Sequence, residues 1–150
     1  MIIKKIWWIT LIKIKKLSEN AALPRYAKPG DAGMDFYSNE ELTILPNERK
    51  LVSTGISMAI PEGYVGLIWD KSGIATKHGI KTMAGVIDSG YRGEVKILVH
   101  NLSDQVHKIE KNTKVAQMLI QPIECREVIE VEELDQTERG EEGFGSTGIK

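Results

Sequence analysis

Four short segments of this 150-residue chain carry residue types that packing alone does not require. The first is Asp70-Lys71-Ser72-Gly73, which follows an apolar run and precedes Ile74 to His78, a stretch suited to one or two helical turns. An ammonium, a hydroxyl and the unpaired N–H groups of a helix start could converge there on an anion. The competing reading is a Ser N-cap followed by a permissive Gly. The second segment runs from Gly85 to Glu94 and sets Asp88 and Tyr91 three residues apart on a glycine-bounded hairpin. A carboxylate at a hairpin tip can hold and polarise a water, and a nearby ring can stack on a sugar or base. Asp88-Ser89-Gly90 is also an ordinary turn sequence. The third is Gln117, which interrupts the apolar run Val115 to Ile120 and either faces solvent or satisfies a buried phosphate or water. The fourth is the tail Arg139 to Gly148, where a guanidinium, the hydroxyls of Ser146 and Thr147, and glycine-freed backbone suit a phosphate chain. Phe144 adds a flat apolar face for a base, and a mere linker needs neither it nor Arg139.

The elements that must position these residues read as strands. Apolar and polar residues alternate over Leu51 to Ile60, Tyr64 to Trp69, Glu94 to Val99, Val115 to Ile120 and Val128 to Val131. Turn signals such as Leu45-Pro46-Asn47, Pro61-Glu62-Gly63 and Glu110-Lys111-Asn112 separate them, which predicts an all-β sandwich or barrel with one short helix. A single domain over residues 1–138 is expected, followed by a flexible glycine-rich tail at 139–150. The first ten residues form an extension of their own, and Leu11 to Lys15 alternates like an edge strand.

Composition narrows the partners. Twenty Lys and Arg against 21 Asp and Glu give a net charge of −1, without the basic field that holds nucleic acid. Cys125 stands alone and the three histidines lack ligand spacing, which points away from a disulfide scaffold or structural zinc site and toward a reducing, intracellular setting. Lysines break the N-terminal apolar stretch, so its uncharged run from Ile6 to Ile12 falls well short of the roughly 20 residues of a membrane span. Trp7 and Trp8 are read as packing or frayed residues, ahead of membrane contact.

In this order and spacing, the segments resemble the five motifs of the trimeric dUTP pyrophosphatases (dUTPases), from Ala27 to Gly148. The motifs are Ala32-Gly33-Met34-Asp35-Phe36, Lys71-Ser72-Gly73-Ile74-Ala75, Gly85 to Gly93, Lys114 to Ile120, and Arg139-Gly140 with Gly143 to Gly148. The resemblance implies a jelly-roll-like distorted β-barrel of the β-clip type, a homotrimer, and active sites at subunit interfaces. It implies that Asp88 activates the water that attacks the α phosphorus of dUTP, and that Tyr91 packs under the deoxyribose to exclude a 2′-hydroxyl. Uracil would be read by backbone at Gly85, Val86 and Ile87 and near Lys96, with Phe144 stacked over it. Lys71, Ser72, Gly73 and Gln117 would hold the α and β phosphates; Arg139, Gly145, Ser146 and Thr147 would close over the γ phosphate; Asp35 would be structural. Mg²⁺ would be held by the phosphates and water with no direct protein ligand. A cytoplasmic place is implied, or a nuclear one in a eukaryotic or viral setting.

Three departures stand out. Lys71 replaces the usual Arg of the second motif, turning a bidentate clamp into a point charge. Asn112-Thr113-Lys114 replaces the usual Gly-Asp-Arg, and Gly90 stands where an acidic residue often precedes the Tyr. Two other readings differ at specific positions. A dCTP deaminase shares the fold but needs a catalytic Glu where this chain has Leu98, and a non-catalytic trimeric binding module predicts a lost Asp88 or an eroded tail, neither of which the sequence shows.

Overall fold

The computed structural model describes residues 11–141 and 143. The N-terminal extension, with Trp7 and Trp8, and the tail residues Phe144, Gly145, Ser146 and Thr147 lie outside the described residues. Eleven strands and one short helix are described: β1 Lys13–Lys16, β2 Gly33–Tyr37, β3 Leu42–Ile44, β4 Arg49–Val52, β5 Ile56–Ala59, β6 Tyr64–Asp70, α1 Ser72–His78, β7 Ile80–Met83, β8 Val86–Ile87, β9 Ile97–Asn101, β10 His107–Ile109 and β11 Lys114–Pro122.

The strands form a four-stranded sheet in the order β2-β11-β6-β8, a three-stranded sheet β4-β9-β7, and the pairs β1-β5 and β3-β10. This is an all-β, jelly-roll-like fold. Alternation decides which side chains face inward. Val95, Ile97 and Val99 are buried while Lys96, Leu98 and His100 look outward, and across the core Met34, Phe36, Ile68 and Met118 complete the packing. Asn101, fully buried at the end of β9, is satisfied by donating to the Ile44 and Gln105 carbonyls while its own oxygen accepts from Ser103.

Three runs behave differently from their alternation. Leu51 to Ile60 divides at Ser53-Thr54-Gly55, so that β4 joins β9 and β5 joins β1. The Thr54 hydroxyl donates to the Val95 carbonyl at 2.6 Å and fixes the corner where the chain changes sheets. Strand β9 begins only at Ile97, because Glu94 is drawn off to an isolated bridge with Ser57. Val128 to Val131 forms no strand; Val128 is 93% exposed and no described sheet edge lies beside the segment to receive it. Alternation specifies a strand only where an apolar surface awaits one face.

A β-bulge in β11 governs the site described below. Ala116, Gln117 and Met118 pair in register with Phe36, Asp35 and Met34, but the register then shifts, so that Lys114 opposes Tyr37. In an unbroken ladder Lys114 would share a face with Ala116 and Met118 and point into the core; instead Val115, the extra residue, is buried beside Ala116. The bulge turns Lys114 to the outer face, beside Asp35.

Ile97 is 1% exposed at the centre of this packing, so Ile97→Ala is expected to cost about 2–5 kcal/mol of stability. Chemical denaturation at fixed protein concentration measures it, and a loss under about 1 kcal/mol would contradict the packing described.

Candidate active site

The hairpin after β7 is built by backbone constraints. Gly85 has φ 110°, and a Cβ there would lie 2.9 Å from Ile68 Cβ and 3.0 Å from the Ile68 carbonyl oxygen. Only glycine allows the close approach in which Ile68 N–H donates to the Gly85 carbonyl at 2.8 Å. Strand β8 then pairs with β6 through Val86 opposite Leu67 and Ile87 opposite Gly66, and stands at the end of its sheet. Beyond it Asp88 begins a turn in which Tyr91 N–H donates to the Asp88 carbonyl at 3.1 Å. The Arg92 guanidinium holds the Ser89 and Tyr91 carbonyls at 2.6 and 2.8 Å, and Ser57 donates to the Arg92 carbonyl at 2.7 Å.

These contacts enclose an open cavity of about 580 Å³ lined by Leu51, Val86, Ile87, Asp88, Tyr91, Glu94 and Lys96. Lys96 reaches it from the outward face of the segment entering β9, with its Nζ 3.7 Å from Glu94. Burial pushes the Glu94 carboxyl up, but bonds from Ser53 Oγ at 2.5 Å and Gly55 N–H at 2.8 Å, with the Lys96 charge, hold it below the usual range. Glu94 is thus a second carboxylate in the cavity that also contains Asp88. Sequence reasoning missed it, although its spacing from Lys96 across buried Val95 places both on one face.

A second cavity of about 420 Å³ is lined by Asp31, Ala32, Gly33, Trp69, Asp70, Lys71, Gln117 and Leu119. Its base is Asp35, which is 1% exposed. Lys71 donates to Asp35 Oδ1, and Lys114 Nζ lies 2.8 Å from Oδ2. Burial pushes the Asp35 carboxyl up, but the hydrogen bonds and charges of Lys114 and Lys71 outweigh it and hold the group below its ordinary value of 3.8. Gln117 stands opposite both Asp35 and Trp69 on the same outer face and donates through Nε2 to the Asp70 carbonyl at 2.9 Å. Gly33 leaves room for it, since a Cβ there would come within 2.5 Å of Gln117 Oε1. The Asp70 carboxylate is held by Lys81 Nζ at 2.7 Å and by the Thr82 N–H and hydroxyl, which ties the start of α1 to β7.

Ser72 is the first helical residue and Lys71 occupies the cap position without a side-chain cap bond. The Ser72 hydroxyl is therefore not the N-cap that one reading of the sequence supposed. Ser72 and Gly73 are exposed beside Lys71.

The candidate residues thus fall into two groups. Val86, Ile87, Asp88, Tyr91 and Lys96 share the hairpin cavity, with Gly85 at its hinge; Lys71 and Gln117 share the second, with Ser72 and Gly73 adjoining and Asp35 beneath. The two cavities have no lining residue in common. Arg139 is exposed near a turn closed by Gly140 N–H on the Thr137 carbonyl. Leu51, Trp69 and Asp31 also line the cavities and were not singled out in the sequence, because only cross-strand register places them there.

The profile of the dUTPase family matches residues 19–148. The chain is 50% identical over 137 residues to the deoxyuridine 5′-triphosphate nucleotidohydrolase of Clostridium kluyveri, covering 90% of this chain and 96% of that protein. To the protein of the same name from Nautilia profundicola it is 48% identical over 139 residues, covering 91% and 98%. Among solved structures it is similar to a mutant dUTPase of Staphylococcus bacteriophage 80alpha with dUpNHpp, with TM-score 0.87, 33% identity and coverage of 93% and 99%. A mutant dUTPase from phage phi11 of S. aureus, which shows the coordination of a structural Mg(II) ion, matches with TM-score 0.79 and 30% identity over 84% of this chain and 99% of that one.

Asp35→Asn leaves two ammonium groups facing a neutral amide and is expected to cost about 3 kcal/mol at pH 7. Because the folded-state carboxyl lies below 3.8, its stabilisation is complete above that value and is lost as pH falls through the depressed folded pKa. The gap in thermal midpoint between wild type and variant should therefore be wide at neutral pH and narrow progressively in acid below about pH 4. A gap constant down to pH 2 would contradict the ion-pair account.

Proposed function

The chain belongs to the dUTPase family and hydrolyses dUTP, and we propose that it does so by attack of a water held on Asp88 at the α phosphorus. The water oxygen bonds to that phosphorus, its proton passes to the Asp88 carboxylate, and the α–β bridging bond breaks to release dUMP and pyrophosphate. The reaction limits uracil incorporation into DNA and supplies dUMP for dTMP synthesis. The observation that carries this reading is the hairpin cavity, which sets Asp88 beside the Tyr91 ring and the free outer edge of β8.

The division of labour follows from the geometry. Uracil lies along β8, where Val86 turns its backbone N–H and carbonyl away from β6 and Ile87 flanks it; the Gly85 carbonyl is already engaged by Ile68, so Gly85 acts through the turn it makes. Lys96 flanks the base and the Tyr91 ring supports the deoxyribose, leaving no room for a 2′-hydroxyl. Lys71, Ser72, Gly73 and Gln117 receive the α and β phosphates, and Asp35 holds Lys71 in place. Arg139, Gly145, Ser146 and Thr147 close over the γ phosphate while Phe144 stacks on uracil and bulk water is excluded. That the two cavities share no residue suits a homotrimer in which base and phosphates are served by different subunits.

Mg²⁺ would arrive on the triphosphate with its own waters, held by the phosphate groups rather than by a protein cage. Bound there, the ion would supply neutralisation of charge on the leaving pyrophosphate. No described helix is long and apolar enough to cross a membrane. A cytoplasmic location belongs to the same proposal, because the nucleotide pool is there.

Asp88→Asn should lower kcat by about 10²–10⁴-fold while a non-hydrolysable dUTP analogue binds within a few-fold of wild type. Near-normal turnover would overturn the role given to Asp88. Deleting residues 138–150 should abolish turnover with an unchanged circular dichroism spectrum. Refolding Asp88→Asn together with an inactive Lys71→Ala/Gln117→Ala chain should restore part of the activity that neither has alone, and no recovery would argue against shared sites.

A further inference from the structure

Tyr91 is 45% exposed, and such a ring beside open solvent needs something to hold it if it is to measure a sugar. Two neighbours in its own loop do so. Its hydroxyl donates to the Glu94 carbonyl at 3.0 Å, and its ring folds back over Gly93. A Cβ on Gly93 would stand 2.6 Å from Tyr91 Cζ and 3.0 Å from Cε2, and closer still to the hydroxyl oxygen. The empty face of Gly93 is thus the seat of the ring. Glu94, which holds the other end of the tether, is itself fixed by Ser53 and Gly55, so the seat is continuous with the corner between β4 and β5.

We infer that Gly93 is a positioning residue for sugar discrimination: lacking a side chain, it lets the Tyr91 ring lie where a ribose 2′-hydroxyl would have to go. The inference rests on the reading of Tyr91 as the sugar support. The obstructing atoms in a Gly93→Ala chain belong to the far end of a half-exposed side chain, so the ring gives way and the backbone does not. The fold survives and the ring is lifted from its seat. Gly90, in the same loop, has open space around any added Cβ and provides the control.

The test compares kcat/KM for dUTP and UTP in wild type, Gly93→Ala, Gly90→Ala, Tyr91→Phe and Tyr91→Ala, with thermal melts to establish folding. Gly93→Ala should lower the dUTP preference about tenfold, with KM for dUTP rising more than kcat falls. Gly90→Ala should keep the wild-type preference. Tyr91→Phe, which keeps the ring but loses its tether, should lower the preference less than Gly93→Ala does, and it carries the test if Gly93→Ala fails to fold. A parallel loss on both substrates in Gly93→Ala, with the ratio unchanged, overturns the inference while leaving the Tyr91 reading intact if Tyr91→Ala relaxes the ratio. An unchanged ratio in Tyr91→Ala overturns the Tyr91 reading itself and the inference with it.

Discussion

Asp35 keeps a full negative charge inside the protein because two lysines from different elements bring their ammonium groups to it. One stands where β6 gives way to α1, the other at the bulge of β11, and each takes a separate carboxylate oxygen. A single arginine could grip both oxygens as a planar fork, whereas ammonium groups are compact point charges and two are needed to divide the same task. The family usually has arginine at both positions; here both are lysine, and they meet on one acceptor. The arrangement joins β2, β11 and the start of α1, and it fixes the Lys71 ammonium in the wall of the second cavity. Fold and site therefore depend on the same buried charge.

Much of this was legible in the sequence because it is local. The helix after Lys71 follows from a strand ending at Asp70 and a glycine at 79, and the strand over Lys114–Pro122 from its apolar run. The family motifs, read as a set, identified the reaction that no single motif could. What escaped was non-local. Leu51 reaches the hairpin cavity only because β4 lies beside β9, and the break at Ser53-Thr54-Gly55 is decided by a hydroxyl bonding to Val95, 41 positions away. Val128 to Val131 alternates like a strand yet pairs with no strand among the described residues. Ser72 looked like a cap, but the cap position went to Lys71, whose ammonium is drawn down to Asp35.

The place proposed for uracil along β8 leaves base choice nearly silent in the sequence. Strand β8 presents main-chain donors and acceptors along an unpaired edge, and any residue would offer the same ones. What the sequence must specify is the shape of that edge, through Gly85 packed on Ile68 and the Arg92 guanidinium closing the turn. Recognition by backbone moves the information from the residues that touch a ligand to those that bend the chain.

The bulge in β11 has a consequence for how this protein can change over time. Substitution exchanges one side chain for another and leaves its neighbours facing as before. Loss of Val115 from the bulge would restore regular alternation with Lys114 still opposite Tyr37, but loss of one residue from the regular ladder between Ala116 and Leu119 would reverse the facing of everything before it, turning the Lys114 ammonium toward the core and taking from Asp35 one of its two counter-charges. The regular ladder can drift in composition while charge locks its length, and the bulge is a place where a residue can be lost with the Lys114 ammonium still beside Asp35.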